Sequence, residues 1–446
     1  MTGLRFAAPE YDRLAHTLLA HDEETCAVVF TRSGGSEGAW IAADWVLAPV
    51  EAYSHRDGIS AELRPAYLVE IANRARKEKL GVALVHTHPR AIGQPCFSTI
   101  DDAGEQPLSD YFGRRVPAAS HLALVVGPDG CRARRLGIGD EIPVWEIGAC
   151  ARALSYPGLP EISTRAHDRQ VRAFGPRGQA IISHIAVAII GLGGTGSALA
   201  QQLAHLGVRR FILIDPDVVE MTNLNRLVGA TPADIDRPKV EVAARHIRGI
   251  NPEAQITARQ ADIVDEATLP TLYGADFLFL CTDSHASRAV VGQLAYQFLL
   301  PCIDMGVSIT VRENEITHVT GRTQMLAPGL PCLVCTQALD GEQIRREMLT
   351  LEQRAADPYV QGIHEPQPAV ISLNSTVASL AATMFLSAVT PVPSAARLQF
   401  YDGLKGTVRP AIASLVSSCV VCSPIGALGK GSLWPLPVRP HGARDG

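Results

Sequence analysis

Residues 185–206 read IAVAIIGLGGTGSALAQQLAHL, and this stretch decides the architecture. Ile185 to Ile190 is apolar on both faces, as a strand inside a parallel sheet must be. Gly191, Gly193, Gly194 and Gly196 follow, and Ser197 to Leu206 has the composition of a helix. Glycines between strand and helix let the backbone approach phosphate, and the helix N-terminus offers free amides and positive dipole. Asp215 ends the next strand, Phe211 to Ile214, where an acid holds ribose hydroxyls. Further strands at Phe277 to Leu280 and Cys302 to Asp304 alternate with helical segments, which predicts a doubly wound α/β sheet. On these features alone a nicotinamide-dependent dehydrogenase is the leading choice. The residues downstream favour ATP instead. Arg226 and Lys239 can neutralise a triphosphate, and Asp283 can hold Mg2+, which normally accompanies ATP. Taken singly, each is equally a surface charge, and Asp283 a helix N-cap; their joint order is what informs.

Upstream, the pattern changes. The first 145 residues read as a compact α+β unit: helices over Pro9 to His21 and Arg64 to Lys79, and strands at Thr25 to Thr31, Val82 to Val85, His121 to Val126 and Cys131 to Leu136. The expected organisation is a domain over 1–145, a linker over 146–164, a second domain over 165–430 and a flexible tail over 431–446. A net charge of −5 gives no basic field for nucleic acid. No apolar run approaches the roughly 20 residues of a membrane span, and no secretory signal opens the chain. A cytoplasmic location follows as the expectation.

His86 and His88 lie two apart at the end of an apolar strand, so both imidazoles share one face. With Asp101 they make a three-ligand zinc set that leaves one position open for water. Glu24, opening the Thr25 to Thr31 strand, is the candidate proton acceptor, and Ser98 the candidate donor to a developing oxyanion. Ser98-x-x-Asp101 also fits a helix capping box; both readings can hold together, because a capped helix would fix Asp101 in place.

Of the ten cysteines, four fall as Cys332-x-x-Cys335 and Cys419-x-x-Cys422. Four thiolates suit a closed structural zinc, and disulfides are unfavoured in a cytosolic chain.

His86-Thr87-His88-Pro89, Ser98-x-x-Asp101 and the glutamate of Glu24-Thr25-Cys26-Ala27 resemble the JAB/JAMM metalloprotease motif. The resemblance implies zinc on His86, His88 and Asp101, Glu24 as general base, and cleavage of isopeptide or peptide bonds to ubiquitin-like modifiers. The stretch from His88 to Ser98 is two residues longer than the family's usual spacing, and Ala27 stands where the family often has glycine.

The later residues resemble the ThiF/MoeB/ubiquitin-activating superfamily. The matching elements are His167-Asp168-Arg169-Gln170, Gly191-x-Gly193-Gly194-x-Gly196-Ser197, Asp215-x-Asp217, Asn223-x-x-Arg226, Lys239, Thr282-Asp283 and the two C-x-x-C pairs. That resemblance implies a Rossmann-like adenylyltransferase with a structural zinc. Asp215 would bind ribose, Asn223, Arg226 and Lys239 the ATP phosphates, and Asp283 magnesium. Arg169 would reach across a homodimer. Ubiquitin-activating members carry a thioester-forming cysteine between the C-x-x-C pairs; here none occurs between Cys335 and Cys419.

Together these imply a bifunctional enzyme. One domain adenylates the C-terminal carboxylate of a small ubiquitin-like or sulfur-carrier protein with a glycine C-terminus, and the other cleaves an amide bond of the same partner. A conjugating enzyme or a sulfur donor would receive the activated carboxylate. The alternative is sulfur-carrier activation in cofactor or cysteine biosynthesis, with the zinc domain acting only as a docking module.

Overall fold

The computed structural model describes residues 2–159, 165–349, 353 and 368–439. They form two compact units, a smaller one of Thr2–Gly158 with Gly429–Leu433 and a larger one of the described residues within 159–428 together with 434–439.

In chain order the smaller unit has strands β1 (Gly3–Ala7), β2 (Cys26–Ser33), β3 (Ala39–Leu47), β4 (Tyr53–Arg56), β5 (Ala61–Leu63), β6 (Gly81–Thr87), β7 (Leu122–Gly127), β8 (Gly130–Arg135), β9 (Glu141–Ile142), β10 (Val144–Ile147) and β11 (Ala151–Ser155). Its helices are α1 (Ala8–Leu18), α2 (Pro65–Glu78) and α3 (Thr99–Arg115). Nine strands make one sheet in the order β11-β10-β1-β3-β2-β6-β7-β8-β9, and β4 and β5 pair separately. Both faces are covered. Leu4, Phe6, Val29, Val85 and Leu124 are buried on one side, and Phe30, Val82, Ala123 and Phe112 on the other. The segment read from sequence as the start of a linker carries β10 and β11, which pair at Trp145↔Ala153 and Ile147↔Ala151. Short strands flanked by Gly148 and Cys150 gave too little periodicity to separate from loop. Linker residues 160–164 lie outside the described residues.

The larger unit has strands β12 (Ala186–Ile190), β13 (Arg210–Ile214), β14 (Gln255–Arg259), β15 (Phe277–Leu280), β16 (Cys302–Arg312), β17 (Glu315–Leu326), β18 (Leu398–Asp402) and β19 (Thr407–Pro410). Its helices are α4 (Asp168–His184), α5 (Gly194–His205), α6 (Lys239–Ile250), α7 (His285–Gln297), α8 (Gly341–Met348) and α9 (Ile371–Val389). The sheet order is β14-β13-β12-β15-β16-β17-β18-β19. The first five strands are parallel and the last three antiparallel. Strand β12 sits centrally and is wholly buried, as its unbroken apolar run requires.

Helix α9 is long and apolar enough to cross a membrane by length and composition, and half of its most apolar window is buried inside the protein. Its Phe385 ring packs on Phe277 and Phe279 at centroid distances of 5.0 and 5.5 Å, so it reads as a core helix. Gly321 on β17 admits it closely: a Cβ there would meet Val377 at 2.4 Å.

The C-terminal stretch expected to be flexible is tied down as far as it is described. Gln297 Nε2 donates to the Trp434 carbonyl at 2.6 Å, and Arg439 pairs with Asp265 at 3.0 Å. Residues 440–446 lie outside the described residues.

Candidate functional site

In the larger unit, registers Ile190↔Ile214 and Ile190↔Leu280 bring three strand ends level, so Gly191, Asp215 and Cys281 start their loops side by side. Gly191 has φ +88°, and a Cβ on Gly196 would lie 1.9 Å from the Gly191 carbonyl oxygen. The turn from strand into α5 is therefore closed to larger residues at both positions. A Cβ on Gly194 would meet the Asn374 amide at 2.0 Å, so α9 also seats against the loop.

Asp215 is 4% exposed, and its carboxylate accepts from Leu192 N–H at 2.5 Å and Asp217 N–H at 2.8 Å. It holds the glycine loop to the following turn. Burial raises its pKa, and Lys239 and the two amides oppose that. Asp217 is the more exposed acid and pairs with Lys239 Nζ at 2.7 Å. Arg226 donates to the Thr222 carbonyl at 2.9 Å. Asn223 is buried, its side-chain oxygen accepting from Glu220 N–H at 3.0 Å. Asp283 is exposed and does not cap α7; Ser284 does, accepting from Ser287 N–H at 3.1 Å. Arg169 is exposed on the first turn of α4. Its neighbour Gln170 donates to the His205 carbonyl at 3.2 Å, at the end of α5 opposite the glycine loop. Twelve helical residues separate those ends by about 18 Å. Arg169 is thus placed away from its own glycine loop.

Cys332, Cys335, Cys419 and Cys422 converge. Their sulfurs lie 3.5 Å (332 to 419), 3.4 Å (335 to 422) and 3.8 Å (332 to 335) apart. Zn–S bonds of about 2.3 Å in a tetrahedron demand S···S edges of roughly 3.8 Å, so the donor set fits zinc. Cys302 is buried, and burial pushes the Cys281 thiol well above its usual range. Cys302 is a core thiol on β16, and Cys281 is half-buried where its loop leaves β15.

In the smaller unit, β2 and β6 pair antiparallel with Cys26 opposite His86. Two residues further, the same register sets Glu24 opposite His88, with Glu24 Oε1 3.7 Å from His88 Nε2. Ser98 caps α3: its hydroxyl oxygen accepts from Asp101 N–H at 3.2 Å, and its own N–H donates to Asp101 Oδ2 at 2.6 Å. The cap fixes Asp101, whose Oδ1 lies 3.1 Å from His86 Nε2 and whose Oδ2 lies 3.8 Å from His88 Nε2. One ligand atom from each of His86, His88 and Asp101 falls within 4.8 Å of the others. His86 Nε2 is buried without an aligned hydrogen-bond partner, the condition of a nitrogen arranged for a metal. Burial raises Asp101, but His86 and the Ser98 amide outweigh it and hold the carboxyl below the usual range. Burial pushes Glu24 up to about 7.

Sequence reasoning missed the supports around these groups. Thr87 is buried and accepts from Thr25 N–H at 2.8 Å, locking β6 to the Glu24 turn. Arg56 donates to the Glu24 carbonyl at 2.9 Å and pairs with Glu23 at 3.5 Å. Neither Asn374 nor Arg56 carried a sequence signal of its own.

Residues 167–419 match the ThiF family. The chain is 30% identical to the sulfur carrier protein ThiS adenylyltransferase of Escherichia coli over 53% of this chain and 85% of that protein. It is 33% identical to the molybdopterin-synthase adenylyltransferase of Salmonella typhimurium, over 40% of this chain and 69% of the relative. Against ubiquitin-like modifier-activating enzyme 5 of rice the identity is 29%, over 37% of this chain and 42% of the relative.

Proposed function

The chain belongs to the ThiF family, and from that premise we propose that its larger unit uses ATP and Mg2+ to adenylate the C-terminal carboxylate of a small ubiquitin-like or sulfur-carrier protein. The observation that carries this reading is the level set of strand ends, where the glycine loop opens α5 beside Asp215 and the Asp217–Lys239 pair. A substrate carboxylate oxygen attacks the α-phosphorus of ATP, and pyrophosphate leaves. The α5 N-terminus, Arg226 and Lys239 are the groups for phosphate charge. Asp215 and Asp217 suit ribose hydroxyls, and Asp283 suits Mg2+. Asn223 holds the turn that carries Arg226. The four-cysteine cluster would take a structural zinc. Isotope exchange between pyrophosphate and ATP, dependent on a small carrier ending in Gly-Gly, tests the reading. Absence of exchange with any such carrier, together with nicotinamide binding, would overturn it.

Arg169 acts in the partner subunit of a homodimer on this reading. Mixing Arg169→Ala with Asp283→Ala protomers should restore about a quarter of wild-type exchange, because half the dimers are mixed and each has one intact site. No restoration would place Arg169 outside the reaction. The carboxylate should also form no thioester with this chain, since Cys281 is held as a thiol and no cysteine lies between Cys335 and Cys419. A reducing-agent-sensitive adduct on a non-reducing gel would contradict this. Most of the segment between α8 and α9 lies outside the described residues.

For the smaller unit we propose zinc-dependent peptidase action on the same partner, trimming residues beyond its terminal glycine or removing it from conjugates. His86, His88 and Asp101 would hold the metal. Zinc there would supply Lewis acidity toward a scissile carbonyl and water. Glu24, whose Oε1 lies 3.7 Å from His88 Nε2 and which is not one of the three ligands, is placed to accept and return a proton. The Ser98 oxygen already serves the cap as acceptor, which leaves its O–H free to donate to a carbonyl oxygen.

A further inference from the structure

We propose that Arg134 is a positioning residue for the zinc site, setting two of its three ligands at once; this rests on the zinc reading above. Arg134 lies on β8 and is 9% exposed. It reaches α3 twice: Nη1 is 2.7 Å from Asp102 Oδ1, and Nε donates to Glu105 Oε1 at 3.0 Å. Asp102 follows the ligand Asp101 directly, and Glu105 lies one helical turn later. Glu105 also accepts from Gly137 N–H at 3.3 Å, which anchors it from the β8 side. On its flat face the Arg134 guanidinium carbon stacks 3.9 Å from the centre of the Phe97 ring. Phe97 in turn lies 6.2 Å, centre to centre, from the His86 ring.

The first turn of α3 needs such support. Pro107 lies inside the helix and removes the N–H that would bond the Ala103 carbonyl, and Gly104 adds a weak helix former just before it. The turn bearing Asp101 is thereby loosely tied to the rest of its own helix. The Ser98 cap holds it at one end. Arg134 holds it at the other, from β8, a strand of the sheet rather than the helix itself. Lysine would not replace it, because one ammonium cannot both fork between two carboxylates and lie flat on a ring.

The test uses the full chain. Zinc per chain is measured after dialysis against graded chelator, with a thermal melt on each sample. The wild type should keep two zinc ions, and Arg134→Met should lose one of them at roughly 10–100-fold lower chelator, the usual effect of removing a group that orients a ligand. The four-cysteine zinc should be retained, and Arg134→Lys should fall between. Arg132→Met, which removes a surface pair with Glu141 from the same strand, should behave as wild type. If Arg134→Met does not fold, Asp102→Asn with Arg134 intact should reproduce the partial loss. Equal chelator resistance in wild type and in the Arg134 and Asp102 variants overturns the positioning role alone. A wild type that holds one zinc overturns the zinc reading, and this inference with it.

Discussion

Glu24→Ala should abolish cleavage while both zinc ions stay bound. Loss of a positioned proton acceptor costs about 10²–10⁴ in rate, the larger figure being expected where the group is buried and aligned. Glu24 is 6% exposed, faces His88 across the β2–β6 register, and lies outside the three-ligand set. The measurement is release of a short peptide appended after the terminal glycine of the carrier, with zinc assayed in parallel. His88→Ala separates the roles: zinc falls from two to one per chain and cleavage is lost, while adenylation of a carrier already ending in Gly-Gly continues. Unchanged processing in both variants would reduce the smaller unit to a docking module.

Asp283→Ala should lower carrier-dependent ATP–pyrophosphate exchange about a thousandfold. Metal stabilisation of transferring charge is worth several kcal/mol, and each 1.36 kcal/mol is a factor of ten. Stability should change little, because Asp283 is exposed and Ser284 supplies the α7 cap. Coincident melts for variant and wild type, with exchange lost, are the expected pair of results. Exchange at the wild-type rate would remove Asp283 from the reaction.

Much of the larger unit was legible because its signals are local. The run Ile185 to Ile190 can only be satisfied by burial on both faces, and the following glycines are needed where the Gly191 carbonyl leaves no room for a Cβ. The weaker elements were not legible. Strands β10 and β11 are short and draw their stability from neighbours distant in sequence, β1 among them. Helix α9 mixes Ser, Thr and Asn into an apolar run, and its packing through Phe385 onto Phe277 and Phe279 is a long-range choice.

The candidate metal ligands divide in the same way. Period two put His86 and His88 on one face, and the capping box foretold a fixed Asp101. Neither could tell that β2 pairs with β6 in the register that sets Glu24 opposite His88, since strand pairing is a long-range choice. Nor could spacing show that Arg134, on a different strand, pairs with Asp102 and Glu105 of α3. The sequence by itself determined the donor types, the nucleotide loop and the α/β alternation, because each follows from nearest-neighbour chemistry. Only the tertiary structure decided which groups meet. That choice is made by burying the two sheets' faces, and it brings together residues that the chain keeps far apart.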